Sequence, residues 1–152
     1  PAIADGVVYC AGDTEVMAFA AADGREVWRA PRTSAPRHAA GQTPIQQVVL
    51  TGDLFVVAQN RVVEAHRRGD GGLVWSLKRD DVGSLVAARD VLYVAAYHSP
   101  LVQGIDLASG KVLWEHRLPK EVKQSVGWLC PLDGRLVLGN YSARIYCLEN
   151  AR

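Results

Sequence analysis

The sequence predicts an all-β fold assembled from repeated four-stranded antiparallel sheets. Three observations predict it. First, a Gly followed four positions later by Trp recurs at Gly24 and Trp28, Gly71 and Trp75, and Gly110 and Trp114. These Trp residues are 47 and 39 residues apart, a period at which each unit is one small sheet rather than a helix pair. Second, each copy is preceded by a turn and a β-rich run: Asp5-Gly6-Val7-Val8-Tyr9-Cys10, Gly52-Asp53-Leu54-Phe55-Val56-Val57, and Asp90-Val91-Leu92-Tyr93-Val94. A fourth such run is Asp133-Gly134-Arg135-Leu136-Val137-Leu138. Third, no segment carries the i, i+3, i+4 apolar spacing of an amphipathic helix. Residues 82–96 are apolar, but their β-branched content and the Arg89-Asp90 break read as a hairpin. Repeated short-stranded sheets at this period are the blades of a β-propeller.

Within each unit the elements follow in order. The innermost strand is an apolar segment such as residues 45–50 or 84–88. A tight turn at Gly-Asp or Asp-Gly, a strong hairpin signal between β-rich runs, leads into the second strand. The third strand ends in segments such as Ala18-Phe19 or Gly104-Ile105-Asp106. A turn at Asp23-Gly24, Asp70-Gly71 or Ser109-Gly110 then starts a fourth strand ending in Trp. These boundaries place blade 1 at about residues 1–30, a loop at 31–44, blade 2 at about 45–79, blade 3 at about 83–118 and a partial blade 4 at about 125–152. The reading is thus three complete blades plus most of a fourth, in a single propeller segment.

The segment Gly104-Ile105-Asp106-Leu107-Ala108-Ser109-Gly110-Lys111-Val112-Leu113-Trp114 resembles the tryptophan-docking motif of the pyrroloquinoline-quinone-type (PQQ-like) β-propeller repeats, Ala-x-Asp-x-x-Thr-Gly-Lys-x-x-Trp. The resemblance implies structural roles for Gly24, Trp28, Gly71, Trp75, Asp106, Gly110 and Trp114. Each Trp would stack on a peptide plane of a neighbouring blade. The copies depart from the motif at Ala20 and Arg67, where it has Asp, and at Phe19 and His66, where it is often aliphatic. The fourth copy reaches Ala151-Arg152, one position short of its Gly. Rings of this family hold about seven or eight blades. The chain is therefore expected to belong to a longer parent or to complete a ring by self-association, a four-blade ring being the third option. An uncovered blade flank invites association.

Composition bounds the chemistry. The 152 residues are 49% hydrophobic and 22% charged, with a net charge of +1, so no global field favours nucleic acid or an anionic membrane. Cys10, Cys130 and Cys147 are scattered, with no Cys-x-x-Cys. They read as reduced core thiols, which favours a reducing compartment, with a disulfide plus a spare thiol, in an exported protein, as the alternative. No Ser lies in Gly-x-Ser-x-Gly, and His38, His66, His98 and His116 are dispersed without His-x-x-x-His. The Arg68-Gly69-Asp70 triplet and its glycines read as a hairpin turn. Quinoprotein enzymes of the resembled family use a calcium site, a catalytic Asp and often a vicinal Cys pair. No Cys-Cys pair is present here, and no catalytic, cofactor or metal residue is assigned.

The most informative segment outside the repeat is residues 29–44, which carries three Arg and three Pro and no acid. Arg29, Arg32, Arg37 and His38 form a candidate cationic interaction loop for a carboxylate-rich partner. A carbohydrate or peptide site is a third possibility, with support only from exposed aromatic candidates such as Tyr97 and Tyr141. The functional expectation is a non-catalytic PQQ-like propeller acting as a protein-interaction or sensor scaffold, without cofactor. The alternative is a fragment or relative of a PQQ-dependent quinoprotein dehydrogenase.

Overall fold

A computed structural model describes residues 1–12, 14–33, 46–59, 61–79, 81–96, 98–119, 126–140 and 144–149. Among them every regular element is a strand, and the strands form four antiparallel sheets. The chain divides into two compact units, Pro1–Lys78 and Arg79–Arg152.

The first unit holds two blades. Blade 1 is β1 (Ala2–Ala4), β2 (Val7–Ala11), β3 (Glu15–Ala20) and β4 (Glu26–Pro31), paired in that order. Blade 2 is β5 (Gln46–Thr51), β6 (Leu54–Gln59), β7 (Val62–Arg67) and β8 (Leu73–Lys78). The β1–β2 hairpin closes through Asp5 at φ 51° and Gly6 at φ 72°. Positive φ at both central residues gives the turn a twist that matches the flanking strands, and Asp and Gly are the residues that tolerate it.

The second unit repeats the plan. Blade 3 is β9 (Leu85–Ala88), β10 (Val91–Ala95), β11 (Leu101–Asp106) and β12 (Val112–Arg117). Blade 4 is a three-stranded sheet of β13 (Val126–Leu132), β14 (Arg135–Asn140) and β15 (Ile145–Leu148). Asp133 at φ 47° and Gly134 at φ 79° make its hairpin in the manner of Asp5-Gly6.

In the three four-stranded blades the motif Trp stands opposite a small residue: Ala18↔Trp28, Ala65↔Trp75, Gly104↔Trp114. The register slips by one immediately afterwards in each blade, a bulge that increases local twist where the turn begins. The small partner leaves room for the indole. A Cβ on Gly104 would lie 2.5 Å from the Trp114 ring.

Within each unit the two sheets stack face to face; the side of a sheet that corresponds to the one the first blade turns to the second is called downstream, and the opposite side upstream. In the first unit the downstream face of blade 1, with Tyr9, Val16 and Ala18, packs on the upstream face of blade 2, with Phe55 and Val57. In the second unit Tyr93, Ala95 and Val102 of blade 3 pack on Val126, Leu136 and Leu138 of blade 4. Burying a side chain such as Phe55 or Leu136 contributes about 1.5–3 kcal/mol. Two-sided burial also explains why the central strands read as continuous apolar runs rather than alternating ones.

The cysteine expectation needs correction. All three thiols are free, but Cys130 and Cys147 are exposed and Cys10 is half-buried. Cys130 and Cys147 both stand opposite Val137, so they share the downstream face of blade 4, which no described residue covers. An apolar strand context does not bury a residue whose face lacks a neighbour.

Candidate interaction site

The best-defined site lies between blades 1 and 2. It is built around Trp28 on β4 and the β7–β8 turn. Gly71 in that turn has φ +73°, and a Cβ there would come within 2.7 Å of the Trp28 ring. The indole therefore lies against bare backbone that only Gly presents. Its Nε1 donates to the Arg68 carbonyl at 2.8 Å. This is the docking that the motif resemblance implies, seen here for Trp28. Arg68 reinforces it from the other side. Its guanidinium donates to Asp5 at 2.6 Å, to the Gly52 carbonyl at 2.8 Å and to the Tyr9 hydroxyl at 3.3 Å. It also lies 5.2 Å from the Tyr9 ring centroid, within cation–π range. Arg68 of the Arg-Gly-Asp triplet is thus turned into the blade contact.

A buried charged cluster sits beside this lock. Arg32 follows β4, and its Nε donates to Glu64 Oε2 at 2.8 Å with both side chains fully buried. Arg32 also donates to the Gly12 carbonyl at 3.0 Å and to Gln59. The Thr33 amide donates to Glu64 Oε1 at 3.0 Å, and its hydroxyl donates to the same oxygen. His66 Nδ1 bonds the Gly71 carbonyl at 3.0 Å, and Nε2 lies 3.8 Å from Glu64. Burial pushes the Glu64 carboxyl up, but hydrogen bonds from His66, Thr33 and Arg32 outweigh it and hold the group down at about 2. The aligned positions in the other blades are Met17, Gln103 and Tyr146, so this carboxylate belongs to blade 2 alone. Glu64 lies outside the Gly-to-Trp motif. A charge in a row of otherwise uncharged aligned residues is the signal that marks it.

The other sequence candidates fall as follows. Gly24 and Gly110 occupy turns at φ 73° and 71°, and Asp106 accepts from both the amide and the hydroxyl of Ser109, which hold its carboxyl below the usual range. Trp75 is buried on β8, and Trp114 is half-buried on β12. Arg29 lies on β4 rather than in a loop, bridging Glu15 at 2.6 Å and Glu26 at 2.7 Å. Arg32 is a buried anchor, and Arg37 and His38 lie outside the described residues. The two Arg that are described are therefore neutralised by carboxylates at the root of the segment. His98 is exposed near Asp81, whose carboxylate accepts from the His98 amide. Tyr97 and Tyr141 lie outside the described residues.

The quinone of the resembled enzymes needs converging carboxylate and amide oxygens around calcium. Among the described residues no three His, Cys, Asp or Glu side chains converge to hold a metal, so the residues described do not fit that group, and no chemistry is routed through it.

Four repeated antiparallel sheets, stacked face to face in pairs, with Trp28 docked on the Gly71 turn of the adjacent blade, define a β-propeller of the PQQ-like repeat class. Over residues 1–151 the chain belongs to the family described as outer membrane protein assembly factor BamB. No curated protein sequence matches it significantly. Its fold is similar to the computationally designed Ika4 protein, at TM-score 0.76 and 14% identity, over 97% of this chain and 87% of that one. It is similar to BamB from Moraxella catarrhalis at TM-score 0.68 and 16% identity, over 92% of this chain and 45% of that one. It is also similar to the quinohemoprotein alcohol dehydrogenase ADHIIG from Pseudomonas putida HK5, at TM-score 0.67 and 13% identity, over 99% of this chain and 32% of that one. The chain thus spans less than half the length of these two natural proteins. The fold is shared by an enzyme and by an assembly factor, so it does not by itself decide catalysis.

Proposed function

We propose that the chain is a non-catalytic interaction scaffold whose contacts with other polypeptide are made through blade faces and the segment rooted at Arg32. One observation carries this reading: the downstream face of blade 4. Trp128, Cys130, Leu132, Val137, Ile145 and Cys147 share it, and all but the half-buried Val137 are exposed. The upstream face of the same sheet is core. Apart from Arg135 at its margin, opposite Leu132, this open face is apolar, and a largely apolar open face is an interaction surface, because solvated sheet faces are normally polar. The name of the family, an assembly factor, supports the same reading. The surface is completed either by further blades of a longer protein or by a second copy that finishes a ring.

Two measurements test this. Solution mass by light scattering separates the two modes of completion, a monomer favouring further blades and a dimer favouring the second copy. Addition of pyrroloquinoline quinone with calcium tests the enzyme alternative. A melting temperature unchanged by the mixture is the expected result, and a rise of several degrees would overturn the non-catalytic reading.

A further inference from the structure

The residue four places after each motif Trp is Arg32, Arg79 or Leu118. In both units this residue is delivered by the same main-chain bond. The Arg32 amide donates to the Thr14 carbonyl at 2.8 Å, and the Leu118 amide donates to the Pro100 carbonyl at 2.8 Å. Thr14 and Pro100 each directly precede the third strand of their blade, β3 and β11. The side chains then meet different surfaces. Arg32 is fully buried against Glu64 and Gln59 of blade 2. Leu118 is buried with Val126, Leu136 and Leu138 of blade 4, and Tyr146 packs on that cluster.

The facing positions are equivalent too. Glu64 stands opposite Val57, and Tyr146 stands opposite Leu138. Gln59, two residues after Val57, accepts from Arg32. Asn140, two residues after Leu138, instead accepts from the Arg144 amide of its own sheet at 3.1 Å. In blade 3 the position of Glu64 holds Gln103, which donates to Glu115 of its own sheet at 2.9 Å, and in blade 1 it holds Met17. One backbone plan thus carries an ionic junction in the first unit and an apolar junction in the second.

From this contrast we infer that the Arg32–Glu64 pair is an address that decides which blade packs on blade 1. The downstream side of blade 1 brings a guanidinium that a carboxylate neutralises, and of the four aligned positions only that of blade 2 holds one. Packed on blade 3 or blade 4, Arg32 would be sealed against Gln103 or Tyr146 as an unpaired buried charge. Packed on blade 2, Leu118 would leave Glu64 in the same state. Either error is heavily penalised, because a lone buried charge loses its hydration with no partner in return. Arg79 holds the equivalent place after β8, so the carboxylate rather than the arginine singles out one blade. Such a device matters where repeated sheets share one backbone plan, since their apolar faces would otherwise accept one another.

The test replaces the charges by an apolar pair, Arg32→Met with Glu64→Leu, in the full chain. Donor-labelled and acceptor-labelled copies carry dyes on the exposed Cys130 and Cys147. They are unfolded in urea and refolded either together or apart and then mixed. Blades of different copies interlock only when refolded together, so the excess energy transfer of that sample measures mispairing. Association of finished molecules contributes to both samples alike. The apolar variant should fold, with an unfolding constant no more than about tenfold above the parent's, and show an excess at least about fivefold the parent's. Arg32→Lys keeps the charge and should keep the parent's low excess. An apolar variant that pairs as faithfully as the parent would overturn the inference. So would one that cannot fold, because the pair would then supply stability rather than choice. Mispairing in Arg32→Lys equal to that of the apolar variant would also overturn it, by assigning the effect to hydrogen-bond geometry instead of charge.

Discussion

Replacing Glu64 by Gln should be among the most damaging isosteric changes in the chain. The perturbation keeps shape and volume but removes the negative charge facing Arg32. Two routes give its magnitude. Breaking a fully buried ion pair by removing one partner costs about 3–5 kcal/mol, because the remaining charge is stranded away from water. Independently, the Glu64 carboxyl is lowered from its ordinary 4.5 to about 2, which corresponds to about 3 kcal/mol of stabilisation of the ionised form. For a chain of this size the expected loss in melting temperature is about 6–20 °C. The pH dependence follows with a definite sign. A carboxyl held low in the folded state contributes stability above its unfolded value and loses it as pH falls, here between about 4.5 and 2. Urea unfolding followed from pH 7 to pH 2 should therefore show an acid limb in the parent that is reduced in Glu64→Gln. A double-mutant cycle with Arg32→Met completes the assay. The pair of changes should cost less than Glu64→Gln alone, because no buried charge is left over. A Glu64→Gln variant within about 0.5 kcal/mol of the parent, or a coupling below that value, would refute the account.

Further outcomes follow from the Trp docking. Gly71→Ala and Gly24→Ala impose the same positive φ on Ala, near +73° in both, at a cost of about 1–2 kcal/mol. Only Gly71→Ala also drives a methyl into the Trp28 ring, so it should be the more destabilising of the two by denaturant titration. Equal losses would place Trp28 elsewhere. Trp28→Phe removes the donor to the Arg68 carbonyl together with part of the ring packed on the core, and chemical denaturation should show a loss of at least about 1–2 kcal/mol. Trp114→Ala should cost about 3–5 kcal/mol, since the ring packs against the Tyr93, Val102 and Leu138 core, and a variant melting within a degree of the parent would refute that placement.

Much of the architecture is legible in the residues. The Gly-to-Trp spacing and the Asp-Gly or Gly-Asp turns locate the hairpins, because positive φ and a tight turn admit few residue types. The absence of helical periodicity sets the class. The resemblance implies only that each Trp stacks on a neighbouring peptide plane; that Trp28 lies on Gly71 is seen in the structure. The site was less legible. Arg29 and Arg32 read as members of a cationic loop, because a sequence shows the charges but not the carboxylates that come to meet them. Glu26 lies three residues from Arg29 on the same strand, but Glu15 reaches Arg29 only through strand pairing and Glu64 reaches Arg32 only through blade stacking.

What the sequence determined by itself is therefore the local geometry that repeats: turn chemistry, strand order and the place of each Trp, all set by interactions within about 15 residues of chain. What only the tertiary structure decided is which faces are covered. Ala65 and Val102 are buried in strands that also carry Glu64, His66 and Gln103, whereas Ile145 and Cys147 are exposed in the strand Ile-Tyr-Cys-Leu, so strand composition does not foretell burial. They differ because burial depends on a surface supplied from elsewhere in the chain. For the same reason Glu64 became a buried anchor, met by Arg32 from the end of β4.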